Sequence, residues 1–142
     1  MINNHLLCVK PSPIHGLGVF ASTAISADAL IEECPVLLST IALPMFADYL
    51  FSAGEKQEAI ALGYGSLYNH ANEPNATYGY DSDRRLIIFT ARRAITAGEE
   101  ITIPYGNDWF SSRQMQMIAN VSWWRKLIAA LLLRVINIRL PQ

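Results

Sequence analysis

A mainly β fold built from several small sheets is what this chain predicts, on three observations. Short apolar runs rich in β-branched and aromatic residues recur at residues 6–10, 19–21, 29–38, 86–90 and 100–103. Gly, Pro, Asn and Asp stand between them, and these residue types end strands and make turns. Half of the 142 residues are hydrophobic and only 16% are charged, so the chain has the material for a packed core and does not have a disordered composition.

Each element follows from local chemistry. Residues 6–10 form a strand that Pro11-Ser12-Pro13 ends, and His15-Gly16-Leu17-Gly18 turns the chain into Val19-Phe20-Ala21. Residues 29–38 are apolar and extended, with Glu32 and Glu33 in their middle. Between residues 42 and 62 the spacing is helical: Met45, Tyr49 and Leu50 recur on one face, and residues 55–62 carry no breaker. Asp81-Ser82-Asp83 turns into the strand 86–90. A further strand at 100–103 stops before Tyr105, because Pro104 biases Ile103 toward an extended conformation.

Residues 111–142 are a different material. Ser111 or Ser112 caps a helix there, and no Gly or Pro interrupts residues 115–140. The apolar run 127–133 is far short of the roughly 20 residues that span a bilayer. Arg125, Lys126, Arg134 and Arg139 scatter around such a helix, so it has no clean amphipathic face. A terminal helix packed on the domain or on a second copy is preferred to membrane-surface contact. The organisation expected is a body at 1–110 and a basic, apolar helical extension at 111–142.

Net charge hides an asymmetry. Residues 1–108 carry six Lys/Arg against twelve Asp/Glu, whereas residues 109–142 carry five bases and no acid. An acidic body draws cationic segments, so a basic peptide suits it and nucleic acid does not. Cys8 and Cys34 have no metal-ligand spacing and read as buried thiols in a reducing compartment, with no metal site. The amino end has no basic segment followed by a long apolar stretch, so no cleaved secretion signal is expected, and the compartment expected is the cytoplasm.

Two polar stretches concentrate the chemistry: Asn69-His70-Ala71-Asn72-Glu73-Pro74-Asn75, and Gly98-Glu99-Glu100-Ile101-Thr102-Ile103-Pro104-Tyr105-Gly106. The first offers amides, an imidazole and free backbone groups. Alone it reads as a tight surface turn; with the second stretch and the upstream glycine turn it reads as a ligand pocket.

With these pieces in order, the chain resembles the SET-domain protein-lysine methyltransferases. The likeness rests on His15-Gly16-Leu17-Gly18-Val19-Phe20-Ala21, on Gly65-Ser66-Leu67-Tyr68-Asn69-His70 running to Pro74-Asn75, on residues 89–95, and on Gly98-Glu99-Glu100-Ile101-Thr102 closing on Tyr105-Gly106. Ile31-Glu32-Glu33-Cys34, Asp48-Tyr49-Leu50-Phe51 and Ala61-Leu62-Gly63-Tyr64-Gly65 bring it near the minimal members, including a small viral histone methyltransferase, and leave action in a host nucleus open.

The resemblance implies a β-clip fold whose late segment threads beneath the preceding loop and brings Asn69-His70 beside Tyr105. It implies S-adenosylmethionine held by His15, Gly16, Leu17, Gly18, Tyr68, Asn69, His70, Tyr105 and Trp109, with His70 acting largely through its backbone. Gly16 and Gly18 are expected to let backbone approach the cofactor, where a Cβ at either would intrude. The substrate is implied to be a lysine of a basic protein such as a histone tail, entering a channel lined by Tyr49, Tyr105 and Trp109. Tyr105 is the implied catalytic hydroxyl; Tyr49 reads equally as plain helix packing. Free lysine has a pKa of about 10.4, and an apolar channel beside a sulfonium disfavours its ammonium by desolvation and by like charge. The chain lacks the cysteine-rich segment that follows Tyr-Gly in many members, and Leu17 and Trp109 stand where the viral protein has tyrosines. Two alternatives remain at this level: a SET-fold module without catalysis that binds a basic peptide or partner, and a tail-driven membrane-surface or assembly protein.

Overall fold

Alternation of side chains around a glycine-closed turn makes the first hairpin. The computed structural model describes residues 5–41, 44–55, 57–106 and 109, and chain contacts divide it into two units, Met1–Pro104 and Tyr105–Gln142. In the first unit β1 (Leu7–Pro11) pairs antiparallel with β2 (Leu17–Ala21), Leu7 opposite Ala21 and Pro11 opposite Leu17. The turn between them closes where Ser12 N–H donates to Gly16 O at 2.9 Å, and Gly16 takes the left-handed φ of +49° that favours glycine.

A ten-residue strand, β3 (Leu30–Ser39), organises the main sheet. Its first half pairs with β8 (Leu86–Ala91) and its second half with β5 (Glu58–Ala61). With β4 (Leu50–Ser52) and β7 (Ala76–Asp81) the sheet runs β4-β5-β3-β8-β7, every pairing antiparallel. Along β8 the period is two: Ile87, Phe89 and Ala91 are buried, and the residues between them are only half-buried. Phe89 is the centre of an aromatic cluster, with ring centroids 4.5 Å from Tyr68 and 6.1 Å from both Phe51 and Tyr78.

The third sheet is the smallest and matters most for the site. β6 (Asn69–His70) lies parallel to β9 (Thr102–Ile103), Asn69 opposite Thr102 and His70 opposite Ile103. A parallel pair needs a long connection. Here β7, β8 and the turns around them supply it, so the late segment returns to lie against Asn69-His70.

Two expectations are corrected. Between residues 42 and 62 the helical reading holds only for a 3-10 helix at Pro44–Tyr49; residues 50–52 and 58–61 are strands. Ala59 and Ala61 are buried with Ile60 half-buried between them, so pairing with β3 overrides the absence of a helix breaker. The strand β7 at Ala76–Asp81 was not anticipated, because Gly79 interrupts its Thr-Tyr-Gly-Tyr pattern. The helical extension expected at 111–142 lies outside the described residues.

Candidate functional site

The hairpin turn, β6 and the segment before β9 meet at one carboxylate. Ser12 Oγ–H donates to both oxygens of Glu100, at 2.8 and 2.9 Å, while Ile14 N–H donates to Ser12 Oγ at 2.9 Å. Asn69 Nδ2 donates to Glu100 Oε1 at 2.8 Å, to Leu17 O at 3.1 Å and to His15 O at 3.2 Å. All three of those partners are acceptors, so the orientation of the Asn69 amide is set by chemistry. With Nδ2 committed to the turn, Oδ1 is the end of this amide that can accept from a ligand. Residue 100 is itself placed by an isolated bridge between Phe20 and Glu100.

Gly18 lies under this arrangement. A Cβ there would collide with Glu100 Oε1 and would lie 3.1 Å from Asn69 Nδ2. Around Gly16 a Cβ would meet nothing within 4 Å. The two glycines therefore serve different ends: Gly16 permits the turn's backbone conformation, and Gly18 leaves room for the protein's own carboxylate. At Gly18 the protein's own carboxylate is enough to exclude a side chain.

Asn75 acts as a surrogate strand neighbour. Its Oδ1 accepts from Thr102 N–H at 2.8 Å, and its Nδ2 donates to Glu100 O at 2.8 Å and to Glu99 Oε1 at 3.0 Å. It is 2% exposed, so these bonds replace water that cannot reach it. Glu99 also accepts from Arg93 at 2.7 Å and from Thr96 N–H at 3.0 Å, tying the turn before Glu100. His70 places Nδ1 3.2 Å from Ile103 O, and since a carbonyl only accepts, Nδ1–H is the donor.

Partial burial raises the Glu99 pKa, but hydrogen bonds from Arg93, Thr96 and Asn75 outweigh it and hold the carboxyl at about 2. A depressed pKa gives stability that is complete above the unfolded value of about 4.3 and is lost as pH falls toward the folded one. The protein is therefore expected to lose thermal stability between pH 4.5 and 2, less steeply once Glu99 is replaced by Gln. Melting temperatures across that range, with and without the substitution, check it.

The remaining residues singled out from sequence are placed as follows. His15 and Leu17 lie exposed on the turn, with their carbonyls engaged by Asn69. Tyr68 turns its side chain inward: it is 1% exposed, its ring packs on Phe89 and its hydroxyl donates to Glu32 at 2.9 Å. Only its backbone is left to face a ligand. Tyr49 ends the 3-10 helix with 49% of its surface exposed, so packing does not absorb its ring. In the second unit the rings of Tyr105 and Trp109 lie 4.8 Å apart, Trp109 N–H reaches Gly106 O at 3.4 Å, and Gly106 has φ +77°.

In the sequence Glu100 and Asn75 stand within motifs without a role of their own, and Ser12 stands only in the Pro11-Ser12-Pro13 stop that ends the first strand. A signal existed for Asn75. An Asn two residues before an alternating aromatic run is placed to cap a neighbouring backbone. Nothing in a single sequence pairs Ser12 with Glu100, 88 residues away.

A family model for the SET domain matches residues 16–106. The histone-lysine N-methyltransferase of Schizosaccharomyces pombe specific for H3 lysine-37 is 33% identical over 110 residues, spanning 72% of this chain and 75% of that protein. A crystal structure of a candidate histone methyltransferase from Plasmodium falciparum matches with a TM-score of 0.64 and 31% identity, over 73% of this chain and 96% of that one. The chain belongs to the SET-domain family. The class of enzyme that this fold and these relatives define is the protein-lysine N-methyltransferase.

Proposed function

We propose that the protein transfers methyl groups from S-adenosylmethionine to lysine side chains of a histone or a similarly basic protein. One observation carries the reading: the glycine turn 12–18, Asn69-His70 and the Gly-Glu-Glu segment, distant in sequence, are bonded together through Glu100 and Asn69. The residues present suit the methionine end of the cofactor. The turn presents exposed backbone around Gly16, and the Asn69 carbonyl oxygen is an acceptor suited to an ammonium group. His15, Gly16, Leu17, Asn69 and His70 would hold it there. When bound, the cofactor supplies the methyl group on a sulfonium.

Tyr105 is assigned the orientation of the incoming amine through its hydroxyl, and Tyr49 and Trp109 the aromatic walls that tolerate a cationic methylated product. Desolvation in such a channel favours the neutral amine, so no dedicated base is required. Alignment supplies most of the rate. The acidic body agrees with a basic substrate, since residues 1–108 hold twice as many acids as bases. The test incubates the purified full chain with labelled S-adenosylmethionine and either histones or a mixed basic-protein extract, and reads transfer by mass spectrometry. Label on lysine is expected; cofactor binding without any labelled lysine overturns the catalytic reading.

A further inference from the structure

A carboxylate buried outside the site described above makes no ion pair among the described residues. Glu32 is 4% exposed in the middle of β3, and no Lys or Arg is ion-paired with it among the described residues. Two of its partners are donors on the segment that leads into β6. Tyr64 N–H donates to Oε1 at 3.0 Å and Tyr68 O–H to Oε2 at 2.9 Å. The Cys34 thiol is a third: burial pushes its pKa up, and the charge of Glu32 and a hydrogen bond to it push the same way. The chain opposite is shaped to this group. A Cβ on Gly63 would lie 2.6 Å from Glu32 Oε1, and one on Gly65 would lie 2.5 Å from Ala61 Cβ and 3.0 Å from Cys34 Sγ. Gly63 has φ +74°, so both space and backbone require glycine there.

A buried carboxylate is costly unless its acceptor sites are filled. Here two of the three donors, Tyr64 and Tyr68, flank the 3-10 helix Gly65–Leu67, and Tyr68 immediately precedes Asn69. β6 is only two residues long and cannot set its own register by pairing alone.

We infer that Glu32 is a positioning residue: its carboxylate anchors Tyr64 and Tyr68, and through them sets where Asn69 and His70 lie against β9. This rests on the cofactor site proposed above for its effect on binding, but its structural half stands without it. Glu32→Gln puts an NH2 donor among three donors, and Tyr68→Phe removes one donor and keeps the ring. Phe89→Leu is the control: it loosens the same Tyr68 ring without touching a hydrogen bond.

In the cofactor-free full chain, hydrogen exchange of segments containing β6 and β9 is expected to speed up about tenfold in Glu32→Gln and in Tyr68→Phe, beyond the change in Phe89→Leu at matched loss of melting temperature. In the methyl-transfer assay, KM for S-adenosylmethionine is expected to rise about tenfold in the first two variants, with kcat at saturating cofactor within about threefold of the parent. Exchange or KM no different from the Phe89→Leu control overturns the inference and leaves Glu32 merely structural. If the parent chain fails to bind S-adenosylmethionine, the proposed function falls, and the exchange comparison still decides the role of Glu32. Should Glu32→Gln not fold, Tyr68→Phe carries both readouts.

Discussion

Gly18→Ala is expected to weaken S-adenosylmethionine binding by about tenfold to a hundredfold, measured as a dissociation constant by calorimetry. The new Cβ and Glu100 Oε1 cannot occupy their present positions together. A carboxylate at the end of a long side chain ordinarily swings away at little cost. This one is held by Ser12 at 2.8 Å and by Asn69 at 2.8 Å, so moving it breaks hydrogen bonds to a charged group, each contributing about 1.5–3 kcal/mol. Asn69 then loses the bond that orients its amide, and the binding loss follows from that. Gly16→Ala is the informative contrast. It meets open space but retains a left-handed φ of +49°, so it should cost about 1–2 kcal/mol of stability and little binding. A larger binding loss at Gly16 than at Gly18 would show that contact with the cofactor, and not the Glu100 carboxylate, excludes a side chain from this turn.

Tyr105→Phe is expected to lower kcat on the order of a hundredfold while leaving the cofactor dissociation constant nearly unchanged. The reasoning is chemical: the hydroxyl is assigned to amine geometry, and the ring that remains still packs against Trp109 at 4.8 Å. Single-turnover kinetics with saturating substrate separate the two quantities. A variant that methylates as fast as the parent removes Tyr105 from the role given to it.

How much of this was legible in the sequence depends on how local the cause was. The hairpin β1-β2 and strands β3 and β8 were readable because their apolar runs end at Pro, Gly or Asp turns, which act within a few residues. β4 and β5 were not, because residues 55–62 look helical until Ala59 and Ala61 are pressed against β3 by pairing across more than twenty positions. The site divides in the same way. Gly16, Gly18, Asn69 and His70 carry distinctive residue types in a recognisable order, which is what singles them out. Ser12, Asn75, Glu32 and Glu100 act by bonding to partners 24 to 88 residues away, and no periodicity announces that. Tyr68 is a further case: its place beside Asn69 gives no hint that its hydroxyl faces inward to a carboxylate from another strand.

The parallel pairing of Asn69 with Thr102 and of His70 with Ile103 bears on how the molecule is made. Contacts this distant in sequence are slow to form, because a long loop must close before they stabilise anything. During synthesis from the amino end, the main sheet's five strands are all translated before residue 102 exists. A nascent chain can thus have its main sheet complete while Asn69 and His70 still lack the strand they pair with, and the proposed cofactor site is finished only when β9 is made.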